Sequence, residues 1–279
     1  MIARVLFFGM SFPLAATKNI ERSIETLEIQ DIALNRRQGN PSTSKSPSVL
    51  QYIDPRIGTS CGGHVMPGAT LPFGMAKACA DVFGDNQGGF ATDSKSIYGF
   101  SHMHDSGTGG SPSLGNFPIW AQSACPGDDL NNCKWKAYDR NTTFAQLTVQ
   151  SSPGYFAIGD SRGINTEMTV TNHTALYRIT FPADPPEGPL GPVILVDLMD
   201  LPNSRSNGSV SVDAVSGRIV GNATFDPSFG LGTYDLHFCS DVSGGPIRDN
   251  GVWVYNRAGT QPKSWKGKQF PSRAVELEI

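Results

Sequence analysis

Several things are missing from this 279-residue chain, and each omission removes a class of function. No run of eighteen or more apolar residues occurs, so a membrane-crossing helix is excluded, apart from the question of the amino terminus. Basic residues never gather into a field that would hold a phosphate backbone. Lysine and arginine total 22 against 25 acidic residues, the net charge is −3, and the one lysine grouping (Lys263, Lys266, Lys268) is in the tail, so no nucleic-acid partner is expected. The absence of a Cys-x-x-Cys pair argues against structural zinc. Charged residues make up only 17%, which disfavours long solvated helices.

What is present is turn-forming and apolar. Gly 31 and Pro 20, with 38% hydrophobic residues, describe short strands joined by turns around a sizeable core. From Phe144 onward about nine segments alternate with a period of two, among them Phe144–Val149, Tyr155–Ile158, Asn165–Thr171, Ala175–Phe181, Pro192–Asp197, Arg218–Phe225, Thr233–Phe238 and Val252–Tyr255. Recurrence at this spacing predicts an all-β chain, an antiparallel β-sandwich of two large packed sheets with long glycine-rich loops. Val193–Val196, apolar throughout, is expected to be central, with Thr169, Thr171, Arg178 and Thr180 facing out.

Three divisions follow. Residues 1–48 read as a disordered or short-helical leader and linker: Arg4, the apolar run Val5–Phe12 and the small pair Ala15-Ala16 form a short signal-peptide pattern, against the plainer reading of an unstructured leader. Asn19–Leu34 has fair amphipathic periodicity, and the Ser/Pro-rich stretch 36–48 reads as a linker. Residues 49–258 are the expected β-sandwich domain, and 259–279 an irregular tail, a truncated domain end. Four sequons, at Asn141, Asn172, Asn207 and Asn222, favour the secretory route and thus a secreted glycoprotein. Five cysteines leave at least one unpaired, and Cys125 and Cys133, flanking a turn-forming segment, are the candidate disulfide.

The densest chemistry lies in Tyr98-Gly-Phe-Ser-His-Met-His-Asp-Ser-Gly-Thr-Gly-Gly110, which reads as an irregular loop bringing His102, His104 and Asp105 together. His64, among glycines, is either a site donor or a turn histidine satisfied by carbonyls. The loop Gly84-Asp-Asn-Gln-Gly-Gly-Phe90 mixes amides and a carboxylate with an aromatic ring, a combination that suits a sugar's hydroxyl rim and C–H face, although a solvated turn with one buried Phe fits equally. His102-x-His104 with His64 and Asp105 has the donor types for a zinc or iron enzyme, but the glycines argue against the strand that would aim both imidazoles one way. Gly159-Asp-Ser-Arg-Gly163 matches the serine-hydrolase string but joins two strand-like runs, so it reads as a hairpin turn.

Asp54-Pro-Arg-Ile-Gly-Thr59, Gly68-Ala-Thr-Leu-Pro-Phe-Gly-Met75, the Tyr98–Gly110 motif, Ser152-Pro-Gly-Tyr155 and the run Glu167–Phe181 together resemble the amino-terminal domain of glycoside hydrolase family 92, the calcium-dependent exo-α-mannosidases, in their fungal form. The resemblance spans about Tyr52 to Arg257. It departs where bacterial members carry a Trp-Asp pair, here Gly84–Phe90.

The resemblance implies a β-sandwich packed on a larger helical (α/α) domain with the active site between them, trimming mannose from N-glycans with inversion. Inversion needs two carboxyl groups about 6.5–9.5 Å apart to admit a water. In that family the carboxylates and the calcium ligands come from the helical domain, so this chain is expected to bind mannose-containing glycans without hydrolysing them. Under the resemblance His64, Phe73, Phe90, His102, His104 and Asp105 are binding candidates and none is catalytic. A non-catalytic glycan-binding module is the alternative.

Overall fold

The computed structural model describes residues 2–9, 49–62, 65–82, 90–104, 115–136, 139–186, 188–189, 191–198, 205–227, 230–254, 264–268 and 273–278. Among these, helical structure is limited to 3-10 turns of three or four residues, and strands make the rest of the regular structure. The alternation that predicts strands is seen directly in Thr174–Thr180, where Ala175, Tyr177 and Ile179 are fully buried while Leu176, Arg178 and Thr180 are half-buried on the other face.

In chain order the strands are β1 (Ile2–Gly9), β2 (Ala69–Thr70), β3 (Lys77–Asp81), β4 (Ser96–Ile97), β5 (Gly99–Ser101), β6 (Ile119–Gln122), β7 (Thr142–Thr143), β8 (Gln150–Ser152) and β9 (Tyr155–Gly159). There follow β10 (Asn165–Val170), β11 (Thr174–Thr180), β12 (Val193–Asp197), β13 (Arg205–Asp213), β14 (Arg218–Phe225), β15 (Tyr234–Ser243), β16 (Asp249–Val254), β17 (Ser264–Lys268) and β18 (Arg273–Glu278). A nine-stranded sheet runs β17-β13-β14-β15-β1-β11-β10-β9-β8, a seven-stranded sheet runs β16-β18-β12-β6-β5-β3-β2, and β4 pairs with β7. The pairings are antiparallel throughout.

The two large sheets face each other: β3 packs on β9 and β10, and β13 on β16 and β18. Between them lie Trp120, Phe117, Phe156, Tyr177 and Phe225, each burial of this size contributing about 1.5–3 kcal/mol. Phe117 joins the layers by meeting Phe225 edge-on, centroids 5.5 Å apart, and Phe238 at 4.5 Å. All of β12 is buried, as its unbroken apolar run predicts.

Three expectations are corrected. Ile2–Gly9 is neither disordered nor helical: its β-branched and aromatic run pairs with β11 on one side and β15 on the other, and Ala3 and Val5 are fully buried. The tail expected to be irregular supplies β17 and β18, the latter between β12 and β16, because the short alternation Ala274-Val-Glu-Leu-Glu278 finds an edge on each side. Phe144–Val149, expected as a strand, holds a bridge at Phe144 and a 3-10 turn at Gln146–Thr148, where the Thr148 hydroxyl donates to the carbonyls of Ala145 and Gly159 instead of leaving the backbone free for a ladder. The Asn19–Leu34 pattern falls outside the described residues.

Cys125 and Cys133 are joined in a disulfide, with Cα atoms 5.0 Å apart. Its loop is tied to the start of β16 by the Arg248–Asp128 ion pair at 2.7 Å. A stronger tie is buried: Arg140 Nη1 donates to Asp197 Oδ2 at 2.5 Å and to the Trp135 carbonyl, and its Nε donates to the Tyr98 carbonyl, both ionic side chains being under 5% exposed. Arg140→Met removes the guanidinium and leaves the carboxylate in the core, so urea denaturation followed by tryptophan fluorescence should show a loss of about 3–5 kcal/mol. A loss below about 1 kcal/mol would show that water reaches Asp197 and that the pair does not hold the two segments together.

Candidate functional site

The turn between β2 and β3, Leu71-Pro-Phe-Gly-Met75, projects apolar side chains into solvent. Phe73 is fully exposed, and its backbone sits in the left-handed region at φ 64°, which a bulky aromatic adopts only under constraint. The constraint is visible. The Gly74 amide donates to the Leu71 carbonyl at 3.0 Å, and the Met75 and Ala76 amides both donate to the Asn172 carbonyl in the β10–β11 turn, at 2.7 and 3.2 Å. Met75 is also exposed, so an aromatic ring and a thioether stand together on a braced turn.

Behind this turn lies a buried polar network. The Lys77 amide donates to the His102 carbonyl, which sets β3 beside the end of β5. Asp81, almost fully buried, accepts from the Ser101 hydroxyl at 2.6 Å through Oδ2, and its Oδ1 lies 2.7 Å from His104 Nε2. His104 Nε2 is also 3.1 Å from Ser101 Oγ, and the His104 side chain is wholly buried. Next to Ser101 at the end of β5, His102 Nδ1 is hydrogen-bonded to the Tyr177 hydroxyl of β11, in the other large sheet, at 3.1 Å. Gly115 closes the network from above: a Cβ there would come within 1.7 Å of Ser101 Oγ, so only glycine allows the approach.

This network has the residue types of a hydrolytic triad without its geometry. A triad sets its serine and its acid on opposite ring nitrogens, whereas Ser101 and Asp81 share Nε2 of His104, and the serine proton is committed to Asp81. The group is a buried brace that fixes the base of the Tyr98–Gly110 segment. Gly159–Gly163 is likewise a turn between two strands: Asp160 accepts from the Arg162 and Ile164 amides, and Arg162 lies over the Trp120 ring at 4.4 Å.

Of the sequence-predicted site residues, the structure exposes Phe73 and buries three others. His64 and Asp105 lie outside the described residues. Phe90 is corrected to a core residue: it is 1% exposed and packs on Phe144 and Phe156 at 5.6 and 5.4 Å, because burying an aromatic ring outweighs leaving it on a wet loop. His102 is corrected similarly, 2% exposed and committed to Tyr177, and His104 to Asp81. The two imidazoles therefore serve different partners, and the His-x-His metal reading finds no support in their hydrogen bonds. Among the described residues no group of three His, Cys, Asp or Glu side chains is placed to hold a metal ion. The carboxylates around these segments are committed: Asp54 to Arg56, Asp93 to the Cys61 amide, and Asp81 within the network. Sequence reasoning missed Asp81 and Tyr177, although a carboxylate closing the apolar run Ala78-Cys-Ala-Asp81 is itself a signal.

The family model for the glycosyl hydrolase family 92 N-terminal domain matches residues 52–275. The chain belongs to glycosyl hydrolase family 92. An "Uncharacterized secreted glycosidase" of Arthroderma benhamiae is 53% identical over 219 residues, covering 77% of this chain and 28% of the relative. Among solved structures, the family 92 glycosyl hydrolase ccman5 superposes with TM-score 0.67 at 21% identity, over 83% of this chain and 30% of that one. A family 92 alpha-mannosidase of Bacteroides thetaiotaomicron gives TM-score 0.62 at 19% identity, over 85% and 34%. Identities this low speak for the fold, and the sandwich of this chain is the fold they share. The family 92 chain described here thus spans only 28–34% of the length of each of these relatives.

Burial gives the family 92 network a pH dependence. Burial first, and then the neighbouring His104, lower the His102 pKa from 6.5 to about 3. The folded state therefore refuses a proton that the unfolded chain accepts below 6.5, so this group's share of stability is complete above that pH and is lost as pH falls toward 3. At pH 5 the loss should be on the order of 2 kcal/mol. His102→Gln should flatten the stability curve between pH 6.5 and 4 relative to the parent, measured by urea titrations at stepped pH; parallel curves would show that His102 is protonated in the fold.

Proposed function

We propose that this chain is the carbohydrate-binding β-sandwich portion of an exo-acting, inverting α-mannosidase that trims mannose from N-glycans, and that it does not hydrolyse mannosides on its own. The observation that carries the reading is Phe73. In a domain of a glycosidase family, a fully exposed aromatic ring is held out on a strained, braced turn, the geometry that offers a platform to a pyranose C–H face or to an apposed domain.

Hydrolysis requires an acid and a base on opposite sides of the glycosidic bond with room for a water. The general acid and base, and the calcium associated with them, are assigned to a partner helical domain on the resemblance to the family; Asp54, Asp81 and Asp93 of this chain are each engaged by a neighbour. What the sandwich contributes is shape: a rigid turn whose bracing by Asn172 fixes the ring, over a base locked by Asp81. Support for the mannose assignment is the family match and a mannosidase among the superposed structures, and support for a secreted protein is the relative described as secreted together with exposed Asn141 and Asn172.

Two measurements on the purified chain test this. Aryl α-mannoside hydrolysis with added calcium should give no turnover above background, and robust turnover overturns the division of labour. Titration calorimetry with mannobiose should give weak binding that Phe73→Ser reduces at least about tenfold, without changing the melting temperature because the ring is exposed. Equal binding by parent and Phe73→Ser would remove Phe73 from the sugar surface.

A further inference from the structure

The Phe73 turn rests against a sequon, Asn172-His-Thr174. Thr171–Thr174 closes the β10–β11 hairpin as a tight turn, the Thr171 amide donating to the Thr174 carbonyl at 2.8 Å, with Asn172 and His173 exposed at its tip. The two turns touch. Besides the two amides that the Asn172 carbonyl accepts, a Cβ on Gly74 would stand 3.6 Å from Asn172 Cα, in ordinary van der Waals contact. Phe73 is the next residue along, its Cα about 3.8 Å from that of Gly74. An asparagine side chain carrying one sugar ring spans that distance.

The four sequons are not equivalent in the fold. Asn222 is half-buried within β14 and its Oδ1 accepts from the Ser209 hydroxyl on β13, while Asn207 is exposed with its Oδ1 held by the Gly208 amide. Asn141 is exposed just before β7. Asn172 is the one whose own carbonyl carries the Phe73 turn, where the exposed ring and the exposed Met75 stand beside its side chain. A pyranose suits such a surface, since its C–H face lies on the aromatic ring while its hydroxyl rim stays in water. Thr174 is buried once β11 has paired, so a transferase that reads its hydroxyl acts before the hairpin closes.

We propose that Asn172 is an N-glycosylation site and that the first sugar of its glycan lies over Phe73, so that modification controls access to the ring; this rests on the readings of Phe73 as a sugar platform and of a secreted protein. In the transfer, Asn172 Nδ2 bonds to C1 of the reducing-end N-acetylglucosamine of a lipid-pyrophosphate-linked oligosaccharide. The C1–O bond to pyrophosphate breaks, the lipid pyrophosphate leaves with the electron pair, and Nδ2 gives up one proton. A tether of a few bonds holds the attached sugar at millimolar or higher effective concentration, so it outcompetes a weakly bound free mannoside for the same face. The brace from the Asn172 carbonyl is main-chain and survives the modification.

The test uses the full chain secreted from insect cells behind an added signal sequence, its glycans trimmed to a single N-acetylglucosamine, beside Asn172→Gln from the same cells. Mass spectrometry of the tryptic peptide Gly163–Arg178, which holds this one sequon, should find the sugar on most molecules, and an unmodified peptide overturns the proposal. With isotope-labelled sugar, the ring protons on Asn172 should resonate upfield under the Phe73 ring current and move back in Phe73→Ser; identical positions in the two proteins overturn the contact. Mannobiose should bind Asn172→Gln at least about tenfold more tightly than the sugar-bearing parent, and equal binding overturns the control of access. Absence of binding to either form overturns the mannoside reading of Phe73, and with it the control of access, while the resonances still decide whether the attached sugar covers the ring.

Discussion

A carboxylate removed from water has to be answered by its neighbours, and the answers to Asp81 organise the loop-bearing end of this molecule. Ser101 and His104 converge on its two oxygens, the Tyr98 amide donates to its main-chain carbonyl, and Gly115 is bare so that the chain can pass overhead. With these bonds made, β3, β5 and the start of the Tyr98–Gly110 segment form one rigid unit. The Leu71–Met75 turn is held by Asn172 and the rigid unit at the end that leads into β3, and at the other end by β2, which pairs with β3. An exposed phenylalanine in a left-handed conformation persists because both ends of its turn are fixed.

The network also separates two things that look alike in a list of residues. Imidazole, carboxylate and hydroxyl are the working parts of many active sites, but here each is spent on another, in a place water does not reach. A serine nucleophile must hand its proton to a base, and the Ser101 proton is already committed to Asp81. The polar core is therefore a foundation, and the surface it supports is apolar.

The strand content of the chain was legible because alternation is local. Ala175, Tyr177 and Ile179 announce their own face within seven residues, and Val193–Val196 declares burial on both faces. The family, too, was legible, since Gly68–Met75 and Tyr98–Gly110 are long and specific strings. The site residues were less so, because burial is decided at a distance. His102 meets Tyr177 75 residues away, and Phe90 meets Phe156 across the chain, so neither commitment is written near the residue that makes it. A glycine-rich loop looks the same in sequence whether its histidines face solvent or the core. The strand at Ile2–Gly9 was missed for a related reason: an apolar run near the amino terminus reads as a disordered or helical leader, and its partners β11 and β15 lie more than 160 residues away.

That separation has a consequence in time. Arg4 aligns with Ser243, so β1 pairs with a strand that is synthesised about 240 residues after it. At translation rates of about 5–20 residues per second, its second edge is not available for roughly 12–48 s after it is made. Through that interval β1 keeps at least one unsatisfied edge, open to any surface that binds extended segments. Among the described strands the centre of the larger sheet is thus laid down first and cannot be completed until β15 emerges.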